Sequence, residues 1–103
     1  MKMGLVVGTV VATQKDEKLK GLRLMVVRDL TLALEEKDTF VVAADSVGAG
    51  VGEVVLYASG SSARMTTLTS EKPCDATIMA IVDTVTVGGE VKYRKVPEVG
   101  VAD

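Results

Sequence analysis

"DSVGAGVGEVVLYASGSSAR" runs from Asp45 to Arg64 and holds the key to the chain. Gly48, Gly50 and Gly52 stand at alternate positions, "EVVLY" (Glu53 to Tyr57) follows as a valine-rich strand, and Gly60-Ser61-Ser62 ends it before Arg64. Glycines spaced in this way occur in loops that cradle a phosphate. The P-loop pattern, however, needs a lysine after its last glycine, and the dinucleotide fingerprint needs a further glycine and a helix opening there. Here Glu53 leads straight into a strand, and a carboxylate at that point repels a phosphate. The glycines are therefore read as backbone positions of positive φ and close approach.

The flanking sequence is extended as well. Met3 to Thr13 is β-branched and glycine-punctuated, with Gly8 marking a bulge or bend. Gln14 to Gly21, "QKDEKLKG", is a charged loop. Leu22 to Asp29 is a second strand, and Leu30, Leu32 and Leu34 alternate with Thr31 and Ala33 as if to prolong it. "EEKD" (Glu35 to Asp38) is expected to turn the chain into a third strand, Phe40 to Ala44. Glu53 to Tyr57 is the fourth, and Ala76 to Val82 the fifth, with Pro73 shortly before its start. The one helical candidate is a single turn from Ser61 to Met65, with Ser61 as its cap.

In the tail, Gly88-Gly89 predicts a hairpin. A two-residue turn pairs Val87 with Glu90 and Val85 with Lys92, which sets the valines opposite the wrong neighbours. A three-residue loop, Gly88 to Glu90, pairs Val87 with Val91 and Val85 with Tyr93, and is preferred because register follows the buried face. The alternative is that this tail packs on a neighbouring chain. Short strands and glycine turns in a chain of 103 residues predict one all-β domain over residues 1–103. The expected form is a small five-stranded β-barrel of the oligonucleotide/oligosaccharide-binding (OB) type, with one helical turn and a C-terminal β extension.

Composition narrows the function. Apolar residues make up 48% of the chain, aromatics only 3%, and the net charge is −2. Phosphate neutralisation needs clustered Lys and Arg, so no nucleic-acid partner is expected. There is no histidine, hence no Ser-His or Cys-His pair and no imidazole metal site. Ser61 and Ser62 have only Lys72 or a carboxylate as a base and read as turn residues. Cys74 is a lone thiol with nothing nearby to activate it, and a reducing compartment suits it. "MGLVVGTVVA" imitates a signal peptide but runs into "TQKDEKLKG" without a cleavage pattern, and no run is long enough to span a bilayer. No enzyme activity, metal, cofactor or membrane contact is expected.

Taken in order, "GTVVATQKDEKLKGLRLMVV", "DSVGAGVGEVVLYASGSSAR" and "DATIMAIVDTV" resemble the bacterial microcompartment vertex family of the EutN/CcmL type. The resemblance implies an OB-like barrel whose copies form five-fold rings at the corners of a polyhedral protein shell in the bacterial cytoplasm. Such shells enclose the enzymes of carbon fixation, ethanolamine use or propanediol use. The implied partners are further copies of the chain, as a homopentamer or a hexamer, and the hexameric shell proteins. By the same similarity Asp45, Gly48, Gly50, Gly52 and Glu53, with Gly60, Ser61, Ser62 and Arg64, lie at subunit contacts and near the ring axis. Arg64 is expected to pair with Glu53 or Asp45, within the chain or across the interface. The competing reading is an OB-like module that binds a small anion or single-stranded nucleic acid.

Overall fold

The computed structural model describes residues 1–70 and 75–95. The expectations for Lys72, Pro73 and Cys74, and for the tail beyond Lys95, fall outside these residues. The strands are β1 (Lys2–Val10), β2 (Leu24–Leu30), β3 (Glu36–Asp45), β4 (Val54–Ser59), β5 (Ala76–Ile81), β6 (Thr84–Val87) and β7 (Glu90–Arg94). The first five close into a barrel in the order β1-β2-β3-β5-β4, and β4 returns to pair with β1. β6 and β7 form a separate two-stranded sheet. The predicted five-stranded barrel with a C-terminal β extension is thus the observed fold.

Valine alternation builds the core. In β2 Met25 and Val27 point inward, and Leu24, Val26 and Arg28 lie on the half-buried side. Val6, Ala43, Val55, Tyr57, Ala76 and Ile78 join the buried cluster from the other four strands, and Ala49 joins it from the loop after β3. Burying a side chain of valine size or larger stabilises the fold by roughly 1.5–3 kcal/mol. Gly4 lies within this core for a steric reason. A Cβ there would meet Val27 Cγ1 at 2.3 Å and the Arg28 carbonyl at 3.0 Å. The expected irregularity at Gly8 is present as a register shift between Val6 and Gly8 in the β1–β2 ladder.

The barrel has one weak seam. β3 runs parallel to β5, and the two pair only at Ala44↔Thr77 and Asp45↔Ile78. Ser46 reinforces the seam by donating its hydroxyl to the Ile78 carbonyl at 2.6 Å. Among the described residues, the stretch of β3 before Ala44 pairs with β2 alone.

Four expectations need correction. The β1–β2 connection is longer than predicted, since β1 ends at Val10 and β2 starts at Leu24. Inside it Asp16 accepts from the Lys18 N–H at 2.9 Å and starts a 3₁₀ turn, Glu17–Leu19. The turn into β3 comes earlier than "EEKD". Leu32 to Leu34 turn the chain, Leu34 N–H donates to the Thr31 carbonyl, and Leu34 itself takes a φ of 63°. The leucine alternation reads as strand, yet a tight turn can carry apolar residues when Thr31 accepts its hydrogen bonds, here from the Glu35 N–H to Thr31 Oγ1 at 3.1 Å. Ser61 is not a cap. The 3₁₀ helix spans Gly60–Arg64 with Ser59 at the cap position, and no side chain caps it.

The fourth correction concerns the C-terminal hairpin, whose turn has two residues, not three. Val87 pairs with Glu90, and Gly88 and Gly89 take φ values of 58° and 78°, the doubly left-handed turn that matches strand twist. The register conflict is resolved elsewhere. A shift between Val85 and Thr86 lets Val85 pair with Tyr93 after all. A bulge opposite that step does what an extra loop residue was expected to do.

Candidate functional site

The nine residues singled out in the sequence fall into two groups, not one. Asp45, Gly48, Gly50, Gly52 and Glu53 belong to the loop between β3 and β4. Gly60, Ser61, Ser62 and Arg64 form the 3₁₀ turn after β4. The six residues of β4 separate Glu53 from Gly60, about 20 Å of strand at about 3.3 Å per residue, whereas Asp45 pairs with Ile78, which in turn pairs with Tyr57, and so lies nearer the Gly60 end.

The loop is organised by its own carboxylates. Asp45 accepts from the N–H groups of Val47 and Gly48, both at 3.1 Å. Glu53 accepts from the Gly50 N–H at 2.6 Å, while Gly52 N–H donates to the Val6 carbonyl at 2.8 Å. Gly48 and Gly52 adopt φ values of 79° and 93°, so glycine is required at both. The amides that a phosphate would need are occupied by side-chain and main-chain oxygens of the same chain. The two acids also have cationic partners: Arg23 Nη1 lies 2.9 Å from Asp45, and Lys95 Nζ lies 2.8 Å from Glu53. The Lys95 hydrogen bond and the Gly50 N–H hold the Glu53 carboxyl below its usual range against a smaller opposing effect of burial. Within the chain, then, Asp45 belongs to Arg23 and Glu53 to Lys95.

The second group packs against β4 and β5. Gly60 takes a φ of 66°, and its N–H donates to the Asp75 carbonyl at 2.8 Å. Ala63 is buried, and its carbonyl accepts from Thr69 Oγ1 at 2.8 Å and Thr77 Oγ1 at 2.5 Å. Ser61, Ser62 and Arg64 are exposed on this turn.

Two features escaped the sequence reading. Asp29 is only 8% exposed at the end of β2 and accepts from Thr39 Oγ1 at 2.6 Å and from the Tyr57 hydroxyl. Burial pushes its carboxyl up, but the bonds from Thr39 and Tyr57, with the charges of Lys2 and Lys37, bring it below the ordinary range. Burial and the Asp29 charge push the Tyr57 phenol up to about 12. The signal was available, because Asp29 continues the inward phase of Met25 and Val27. The other feature is Phe40. It is the one phenylalanine of the chain, yet it lies on the outer face of β3 at 59% exposure, with Val42 beside it at 43%.

Among the described residues no group of three or more Cys, Asp or Glu side chains is placed to hold a metal ion, and no helix is long and apolar enough to cross a membrane.

Known proteins share this arrangement. The family described as "Ethanolamine utilisation protein EutN/carboxysome" matches residues 1–83. The bacterial microcompartment shell vertex protein GrpN of Rhodospirillum rubrum is 47% identical over 85 residues, 82% of this chain and 96% of that protein. Its solved structure, "GrpN pentameric microcompartment shell protein", superposes with a TM-score of 0.77 at 46% identity, over 84% of this chain and 99% of that one. The carboxysome shell vertex protein CcmL of Synechococcus elongatus is 44% identical over 95 residues, 92% of this chain and 96% of that protein. The solved CcmL of Gloeobacter violaceus gives a TM-score of 0.89 at 38% identity, over 92% of this chain and 98% of that one.

Proposed function

The chain belongs to the EutN/CcmL family, and from that premise we propose that it is a structural shell protein whose five copies form a ring closing a vertex of a bacterial microcompartment. The observation that carries this reading is the joint match, in sequence and barrel, to a shell protein solved as a pentamer, at 46% identity and a TM-score of 0.77. A sheet of six-fold tiles is flat, and a five-fold piece supplies the curvature that a closed polyhedron needs. Function then lies in ring symmetry and shape.

Residues 1–103 act as one vertex domain. The ring sits among hexameric shell proteins in the bacterial cytoplasm and performs no catalysis. Supporting a non-catalytic role is the commitment of the loop acids to Arg23, Lys95 and the loop amides. The same commitment disfavours an anion-binding module, because the loop is already filled with negative charge. The glycine-loop group and the Gly60-to-Arg64 turn are assigned to subunit contacts and the region of the axis. Glu53 and Gly60 lie at opposite ends of β4, so the two groups reach different parts of the neighbouring copies. A cyclic ring uses such heterologous contacts, in which one patch meets a different patch on the next subunit. Arg64 lies on the exposed side of its turn and is assigned to the contact with the adjacent subunit, while Asp45 and Glu53 are engaged by Arg23 and Lys95 of their own chain.

Native mass spectrometry of the purified chain tests the ring. Five subunits of 10.8 kDa give about 54 kDa. A chain that stays monomeric at high concentration overturns the reading. Co-expression with six-fold shell tiles is expected to give closed polyhedra only when this chain is present. Arg64→Ala is expected to lower the pentamer fraction, and an unchanged fraction removes Arg64 from assembly.

A further inference from the structure

We propose that the outer face of β2 and β3, centred on Phe40, seats the β6–β7 arm of the neighbouring copy. The proposal rests on the pentameric reading and names the two patches that meet in it.

Phe40 and Val42 project from the same side of β3, and their partners across the ladder are Arg28 and Val26. A single exposed apolar side chain is ordinary, but an exposed aromatic beside Val42 and Val26, with an arginine opposite it, is the composition of an interface centre. The strand that carries them is also open along one edge. Among the described residues Glu36 to Ala43 have β2 on one side and no strand on the other. Such an edge invites another chain unless it is covered.

The arm has the complementary need. A lone two-stranded hairpin is marginal in water, and β6–β7 forms a sheet of its own. An ion pair, Lys95 to Glu53 at 2.8 Å, ties its base to the barrel. Between the arm (Tyr93, Arg94) and the glycine loop (Gly50 to Gly52) lies an open cleft of about 460 Å³. The arm is therefore separated from its own glycine loop at that side, and a neighbouring copy can supply the second surface that a lone hairpin needs.

Charge selects that surface. Around the start of β3, Glu35 to Asp38 hold three acids and one lysine, and Glu36 is paired with Arg28. At the end of the arm, Lys92, Arg94 and Lys95 are cationic; Lys92 is paired with Glu90 and Lys95 with Glu53. Asp38 on one patch and Arg94 on the other are both exposed and opposite in sign, and the two patches differ, as a heterologous ring contact demands.

Asp38→Arg, Arg94→Glu, their double reversal and Phe40→Ser test the contact by native mass spectrometry over a dilution series. Circular dichroism checks that the barrel persists in each, since all three side chains are exposed. Each single variant is expected to raise the concentration of half-dissociation at least tenfold, and the double reversal is expected to restore most of that loss. Single variants that dissociate like the wild type overturn the contact. Singles that weaken the ring with no recovery in the double overturn the arm as the occupant. A wild-type chain that never forms pentamers overturns the ring itself and this contact with it.

Discussion

Tyr57→Phe removes one oxygen atom from the buried network and leaves the ring in place. At neutral pH the loss is a hydrogen bond to an ionised carboxylate. Bonds of that kind are worth about 1.5–3 kcal/mol, and Asp29 retains its bond from Thr39 at 2.6 Å. The more informative quantity is how the difference between wild type and variant changes with pH. Tyr57 is raised from 10 to about 12 by burial and by Asp29. A raised group favours the protonated form in the fold, so its stabilisation is complete below pH 10 and is lost as pH climbs toward 12. Two units correspond to about 2–3 kcal/mol. Asp29 acts on the acid side. Its folded value lies below the ordinary 3.8, so its contribution is present above that value and fades as pH falls through the lower one. Without the Tyr57 bond the carboxyl rises, and less remains to be lost in acid. The stability gap between the two proteins should therefore form a plateau from about pH 4 to pH 10 and shrink on both sides. Urea unfolding at fixed subunit concentration, from pH 3 to pH 11.5, measures it. A gap that stays constant over the whole range would refute the reasoning, because it would mean that neither group titrates differently in the fold.

Gly4→Ala is expected to destabilise the barrel by at least 1–3 kcal/mol, the usual cost of overpacking, because its Cβ would lie 2.3 Å from Val27 Cγ1; thermal melting reads it, and an unchanged melt contradicts the packing. Glu53→Gln should lose only about 0.5–1 kcal/mol, the worth of a partly exposed ion pair, since an amide oxygen can still accept from Gly50. Glu53→Ala, which orphans that N–H, should lose more, and both should lack the fading of stability in acid that a lowered Glu53 confers on the wild type. Gly88→Ala strains a turn residue at φ 58°. It should leave the barrel's melting unchanged while raising the concentration at which pentamers dissociate, as dilution native mass spectrometry would show.

How much of this was legible in the sequence depended on whether one strand's chemistry sufficed to decide the matter. The barrel strands were readable because valine alternation and glycine punctuation are local signals. The turn at Leu32 to Leu34 was not, because apolar periodicity outweighed Thr31, whose hydroxyl and carbonyl hold the turn together. The hairpin was half readable. Gly88-Gly89 fixed the place of the turn, and Val85 opposite Tyr93 fixed the face. The bulge that reconciles them is a property of the paired ladder, invisible in either strand alone. The partners of the loop acids were out of reach for a similar reason. Arg23 is separated from Asp45 by 22 positions, and Lys95 is farther still from Glu53. Only the closed barrel and the returning arm bring them together.

The glycines deserve a different weight once these contacts are known. Their density suggested a surface on which subunits approach closely, yet much of it is explained inside one chain. Gly4 makes room for Val27, Gly48 and Gly52 supply left-handed turns around Asp45 and Glu53, and Gly60 starts the 3₁₀ turn at a positive φ. A residue whose presence is required by its own subunit says nothing about the next one. What the single chain leaves unsatisfied is more telling: an exposed phenylalanine, an open strand edge beside it, and a basic hairpin separated from its own glycine loop. These are costs to an isolated subunit in water, through exposed apolar area and unpaired main chain, and a ring removes them together. Assembly variants are therefore better aimed at Phe40 and β7 than at the glycine loop, where any substitution first damages the fold that assembly needs.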